Sequence, residues 1–499
     1  VSLADYTFRH EGKNPCFSLA KSVFFFIIGQ YGLLSRSTLQ ARSSFMRHKP
    51  TLTQEEKLVR MTESPLPGLI FSLAVPTIVS MLISALYNMA DTYFVGLIGN
   101  ASATGAIGVV FPLMSLMQAI AFMFGHGSGN HMSRSLGAGD VDDAEKYAST
   151  GFFSAMGAGV LLMVIGLVWT DPIVRLLGAT ETIAPYARDY VRCLMPGTPF
   201  LICSFVLNNQ LRFQGSAFYG MIGITAGTIL NIILDPVFIF VLDMQVAGAA
   251  IATAIGEAVS FAVLLFMTSR AGNIPIKPRR FCLNAETAKE IFRGGVPSLA
   301  RQGLTSLATI CLNVAAGGFG DAAVAAMSIV SRIMQICNSA IIGFGQGFQP
   351  VCGFNFGAGL YRRVRDAFWF CVRLSAIVLC VVAIVAMIFA PQIVGLFIKD
   401  NPDVREIGAA ALRMQCVTMP LFSFVIMANM MLQTIGYAGR ATLLAAARQG
   451  LFLIPAVFLL SHFFGLTGLE LSQAVSDLLS FLLSVPVTLT VLRQFQQSK

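Results

Sequence analysis

Charge is what this chain has least of. Only 12% of its 499 residues are Asp, Glu, Lys or Arg, whereas an ordinary soluble domain is about a quarter charged. With 55% hydrophobic residues and a mean hydropathy of +0.72, a water-soluble globule is excluded. The ten cysteines form no CxxC pair and no Cys/His set at metal spacing. Seven of them (Cys193, Cys203, Cys311, Cys337, Cys371, Cys380 and Cys416) fall in or beside apolar stretches, where a reduced thiol packs as a small hydrophobe. No GxxxxGK[ST] loop occurs, which argues against an ATP motor in this chain. His126 and His131 stand five apart and share no helix face, so a metal pair is not expected, and the remaining histidines give no hydrolase or acyltransferase constellation.

What is present is apolar runs. Twelve segments, approximately 69–94, 104–126, 150–170, 190–212, 218–241, 246–268, 292–316, 322–347, 368–390, 409–433, 442–464 and 467–490, are each long enough at 1.5 Å per residue to cross a hydrocarbon core of roughly 30 Å. The net charge of +9 follows topology rather than nucleic acid. Even-numbered loops and the C-terminus hold most Lys and Arg, among them Arg134, Lys146, Arg212, Lys277, Arg362 and Arg493. Odd-numbered loops hold only Arg175, Arg188, Arg192, Lys399, Arg405 and Arg413, so both termini are expected in the cytoplasm. Residues 1–60 read as an N-terminal extension. Its first 45 residues are taken as disordered or as upstream sequence translated from an early start, with Met46 then opening the chain, rather than as a targeting segment.

The chain repeats itself. Val75-Pro76 recurs as Val296-Pro297, Gly125-x-Gly127 as Gly345-x-Gly347, Gly137-Ala138-Gly139 as Gly357-Ala358-Gly359, Pro236 as Pro455 and Glu257 as Asp477, a constant offset close to 220. The expected fold is an all-α polytopic membrane protein of twelve transmembrane helices, built as two six-helix bundles related by a parallel internal repeat: 61–268, a cytoplasmic linker over 269–291, and 292–499. Two such bundles leave a cavity that can open to either side, which suits alternating access.

Carboxylates at bilayer depth are costly and mark function. The ones singled out within spans are Asp91, Asp235, Glu257 and Asp477. Tyr87, Asn88 and Asp91 share one face of the first span; Asn231 and Asp235 are one turn apart and precede Pro236; Thr253 and Glu257 are one turn apart on the sixth span. Counted from the span edges, Asp91, Asp235 and Thr253 fall in the outer half of the bilayer. Their oxygens suit a hard cation such as Na+, and low-dielectric surroundings suit a proton equally well. Glu257 and Asp477 occupy equivalent repeat positions with either a coupling or a scaffold role, and Arg301 or Arg332 could neutralise Asp477 or line the cavity. The glycine-rich stretches 125–139 and 343–359 read as close helix packing. Met427, Met430 and Met431 could offer an adaptable apolar surface.

Several motifs in order, Leu86-Tyr87-Asn88-x-x-Asp91-x-x-Phe94-Val95-Gly96, Asn208-Asn209-x-Leu211-Arg212-x-x-Gly215, Asn231-x-x-x-Asp235-Pro236, Gly248-Ala249-Ala250-x-Ala252-Thr253 and Gly343-Phe344-Gly345-Gln346-Gly347-Phe348-Gln349-Pro350, resemble the multidrug and toxic compound extrusion (MATE) transporters from about residue 60 to the end. The resemblance implies a secondary antiporter of the plasma (inner) membrane. It would export small organic cations or other toxic compounds in exchange for H+ or Na+, working as a monomer in lipid without a cofactor or nucleic acid. In the branch of the family with an acidic site in its N-terminal half, the matching positions are Asp91, Asn231, Asp235 and Thr253, with Tyr87 beside Asp91. Another branch carries acids in the second half; here Arg301 stands in the seventh span and no carboxylate in the tenth, and Glu257 matches no family motif. The competing reading is a lipid or lipid-linked saccharide flippase of related fold.

Overall fold

The computed structural model describes residues 52–98, 100–398 and 401–497, apart from the side chains of 87–90, 92, 93, 101, 496 and 497. The calls made on residues 1–51 therefore lie outside the described residues.

Thr53 starts a short helix, α1 (Gln54–Glu63). Its hydroxyl accepts the amide of Glu56 at 3.2 Å while the Glu56 carboxylate accepts the Thr53 amide at 2.7 Å, a reciprocal cap that satisfies two otherwise orphaned donors. This helix crosses the boundary placed after residue 60. Its polar composition hides it from a search for apolar runs.

Two series of helices follow, nearly superposable in sequence register. The first is α2 (Leu66–Gly96), α3 (Ala101–Gly137), α4 (Val141–Val168), α5 (Thr170–Leu176), α6 (Ala184–Leu194), α7 (Thr198–Phe213), α8 (Ala217–Pro236) and α9 (Gln245–Thr268). The second is α10 (Ala285–Gly317), α11 (Asp321–Gly357), α12 (Tyr361–Ile388), α13 (Ala390–Gly395), α14 (Pro402–Thr434), α15 (Ala438–Ala446) and α16 (Ile454–Gln497). Starts of α2, α3, α4, α5, α6 and α8 are separated from those of α10, α11, α12, α13, α14 and α15 by about 220 residues. Each half also has a π-helical turn beside its repeated proline, Val237–Val241 after Pro236 and Ala447–Leu453 before Pro455, where a ring without an amide proton breaks the regular ladder; the two turns are not in the same register.

Among the described residues, ten helices have the length and composition to cross a membrane. The difference from twelve has two physical sources. The C-terminal stretch Ala438–Phe495 is one continuous run, but Gly465 adopts φ 62° and divides it into two helices. The long helix α10 contains Glu286, Lys289, Glu290, Arg293 and Arg301, so its composition dilutes the apolar signal. The fourth span, expected as one helix over 190–212, is two pieces joined by a 3-10 turn at Met195–Gly197; its counterpart α14 is continuous.

The linker is shorter than expected, because Asn284 caps α10 at 285 by accepting the Thr287 amide at 2.7 Å. It is tied to the first half: the Lys277 ammonium meets Glu145 at 2.7 Å, Arg280 pairs with Asp142, and the Ile274 amide donates to Gln214 Oε1 at 2.6 Å.

Loops that follow even-numbered spans gather around α1 on one face. Lys57 donates to Ser216 Oγ at 2.8 Å and to Asn273 Oδ1 at 2.9 Å in the first half, while Asn355 of the second half donates to the Met61 carbonyl at 3.0 Å and Arg363 to that of Ser64. On this face the halves meet without side chains between them. A Cβ added at Gly295 of α10 would lie 2.1 Å from the Met123 carbonyl oxygen of α3, and one at Gly357 of α11 would lie 2.0 Å from that of Arg134. Only glycine permits so close an approach, as the glycine-rich stretches lead one to expect. Arg134 fastens the same seam by donating to the Thr434 carbonyl at the C-terminus of α14, 2.8 Å away, where the helix dipole favours a cation.

Candidate functional site

The acidic residues of the first half converge away from that seam. Asp91 stands five residues before the end of α2, Asp235 at the end of α8 and Thr253 in the third turn of α9, so all three lie toward the face opposite α1. Asn231 Nδ2 donates to Thr253 Oγ1 at 3.3 Å. Asp91 and Asp235 are near enough for their charges to interact, and the fully buried Tyr190 of α6 is within electrostatic reach of both. The side chains of Tyr87 and Asn88 lie outside those described.

Burial at this place is severe. Asp235 is 0% exposed, Asn231 3% and Asp91 7%. Among the described residues, Asp91 Oδ1, Asn231 Oδ1 and both carboxylate oxygens of Asp235 find no hydrogen-bond donor. Four buried acceptors left without donors, at ~1–3 kcal/mol each, make a pocket of oxygen ligands that a small cation or protons would satisfy.

The other acids separate into two kinds. Glu257 of α9 is half-buried and accepts from Ser204 Oγ of α7 at 2.8 Å. It shares a crevice with Thr253, Met117 and Leu201 that is too narrow for a water molecule. Its repeat mate Asp477 is bound instead: Arg448 Nε donates to its Oδ1 at 2.6 Å and Gln473 at 3.0 Å, with the guanidinium 3.8 Å above the Phe422 ring. Of the two roles open to Arg301 and Arg332, neutralising Asp477 is taken by neither. Arg448 takes that role because the π-helical turn that carries it lies against α16. Arg332 is exposed, and Arg301 reaches Asn429 Oδ1 at 3.4 Å.

Three further expectations are settled by position. Met427, Met430 and Met431 are at most 1% exposed and pack against the Gly345 region of α11, so they form core rather than an adaptable surface. His131 stacks on Tyr147 at 3.5 Å and meets Asp143 at 3.1 Å, while His126 is fully buried beside Arg212. Arg212, counted in the sequence as a loop cation, is 1% exposed. Its place near a span end concealed that burial.

The architecture and the sequence have clear counterparts. The model of one protein family, MatE, matches residues 76–237 and 297–459, one stretch in each half. A "Multidrug export protein MepA" of Staphylococcus haemolyticus (strain JCSC1435) is 30% identical over 431 residues, covering 85% of this chain and 93% of that protein. A solved structure described as the outward-facing conformation of a multidrug resistance MATE family transporter of the MOP superfamily superposes with a TM-score of 0.83 at 26% identity, covering 88% of this chain and 98% of the other. A crystal structure of MATE in complex with MaL6 gives the same TM-score and identity over 88% and 99%.

Proposed function

The chain belongs to the MatE family, and from that premise we propose that it is a multidrug efflux transporter that exchanges small organic molecules, organic cations among them, for H+ or Na+. The coupling ion binds at Asp91, Asn231, Asp235 and Thr253. The observation that carries this reading is the set of four buried oxygens without donors at Asp91, Asn231 and Asp235. In this role the two carboxylates alternate between a state holding the ion or protons and an empty, repelling state. Each state favours a different packing of α2, α8 and α9.

Alternating access then consists of parting the glycine seam on the α1 face while the opposite side closes. The ion can bias that equilibrium only by as much as its affinity differs between the two packings. The loop charges orient the α1 face and both termini toward the cytoplasm, in the plasma (inner) membrane, and one chain with two halves supplies a complete pathway.

The test is efflux of a fluorescent organic cation from proteoliposomes under an imposed pH or Na+ gradient, comparing the native protein with Asp235→Asn. Efflux driven by one gradient and lost in the variant is the expected result and identifies the ion. Well-folded protein that moves none of several dyes under either gradient would overturn the reading in favour of the lipid or saccharide flippase.

A further inference from the structure

The junction of α3, α7 and α10 holds positive charge without an acid. Arg212, in the last turn of α7, donates through Nη2 to Asn209 Oδ1 and approaches His126 Nε2 at 3.3 Å. Its Nε and Nη1 are buried with no acceptor, and its guanidinium lies 4.8 Å from the Phe213 ring centre. Arg301 of α10, in the other half, stands within electrostatic reach of both Arg212 and His126. Its own partner is the Asn429 amide oxygen at 3.4 Å, long for a charge-assisted bond. Neither arginine forms a salt bridge among the described residues.

The other arginines of the interior show what a scaffold role looks like. Arg134 is answered by the Thr434 carbonyl, Arg363 by that of Ser64, and Arg448 by Asp477. Arg212 and Arg301 instead stand within electrostatic reach of one another across the boundary between halves, with Arg212 Nε and Nη1 left without an acceptor. A guanidinium presents parallel N–H pairs that match carboxylate and phosphate oxygens, and an anion between two such groups would relieve both repulsion and unmade hydrogen bonds. Arg301 lies some six residues beyond Gly295 on α10, on the side of the seam toward the acidic pocket. It is half-buried, whereas Arg212 is sealed behind it.

We propose that Arg301, backed by Arg212, binds an anionic group, a carboxylate or phosphate, of the transported molecule, so that the cargo includes anionic and zwitterionic amphiphiles. The word cargo rests on the efflux reading above; the binding site itself does not. The anion reaches the site either on a free small molecule or as a lipid phosphate headgroup.

The experiment uses full-length protein in nanodiscs and two fluorescent probes, a dye with one carboxylate and its carboxamide twin, with binding followed by anisotropy. The native protein is expected to bind the carboxylate at least about tenfold more tightly than the amide. Arg301→Gln should abolish that preference while amide binding persists, and Arg301→Lys should keep part of it. Equal binding of the two probes, or a preference that survives Arg301→Gln, overturns the proposal. Nanodiscs of zwitterionic lipid alone and with phosphatidic acid separate the sources: displacement of the dye by the anionic lipid assigns a headgroup, and retention assigns a free solute. A carboxylate preference in protein that fails the cation efflux assay would leave the anion site standing and remove the efflux reading; efflux without the preference would do the reverse.

Discussion

Removing Arg448 should leave a carboxylate stranded in the second half. Asp477 is 3% exposed and Arg448 13% by side chain, with 2.6 Å between Nε and Oδ1. In Arg448→Met the acid keeps Gln473 as a donor but loses its counter-charge, a change that costs ~3–5 kcal/mol when one partner of a buried pair is deleted. The guanidinium over Phe422 adds ~2 kcal/mol when desolvated, part of which methionine recovers by packing on the same ring. Asp477→Asn should cost ~3 kcal/mol, because it retains an acceptor yet leaves Arg448 buried and unpaired. With both changes no charge remains, and the loss should fall below ~2 kcal/mol. The two single effects are therefore strongly non-additive. Reversible unfolding in mixed micelles, followed by circular dichroism on all four proteins, measures this cycle. Single effects that sum to the double within ~0.5 kcal/mol would refute the reasoning, since they would show no energetic link across the bond. The double variant is also expected to retain ion-driven efflux, because Asp477 is spent on structure and not on coupling.

Gly357→Val places a branched side chain where a single Cβ would already lie 2.0 Å from the Arg134 carbonyl; the protein should remain folded but lose efflux, read as dye transport together with thiol labelling of Cys352 beside the seam. Arg134→Gln removes a cation from the end of α14, worth ~1 kcal/mol, so amide exchange at residues 434–437 should rise roughly fivefold. Burial, then the neighbouring Arg60, hold the Lys57 ammonium down to about 7 from 10.5. Undocked α1 therefore binds more protons than docked α1 between those values, and docking should strengthen as pH rises through that window and stay flat below about 7. Hydrogen exchange over residues 54–63 at pH 7 and pH 9 checks the sign, and Lys57→Met should remove the dependence.

The spans and their repeat were legible because apolar length and proline or glycine punctuation are local properties. The contact between Asn231 and Thr253 agrees with the similar depths counted for their two spans. Pairing between distant positions was not legible. Arg448 lies 29 residues before Asp477 on a π-helical turn that no periodicity announces, so the sequence offered only Arg301 and Arg332, already inside spans, as candidates. Arg212 was taken for a loop residue because it stands one position from the end of α7, and only the surrounding helices show it enclosed. The docked α1 escaped notice for the opposite reason: it is polar overall, and its burial depends on Ser216, Asn273 and Asn355 far along the chain.

The 3-10 turn at Met195–Gly197 gives the two halves different mechanical characters. Where the second half has a single beam of 33 residues in α14, the first has a jointed one. Its joint bears directly on the helix that carries Thr253: a Cβ at Gly197 would lie 2.8 Å from that of Ala254, the next residue. On the coupling reading proposed above, a change of charge at Asp91 and Asp235 is delivered next to this joint and met, across the seam, by a continuous helix. A chain built this way is jointed on one side and continuous on the other, so a regular helical sequence at residues 195–197 is expected to slow transport even with Asp91, Asn231, Asp235 and Thr253 unchanged.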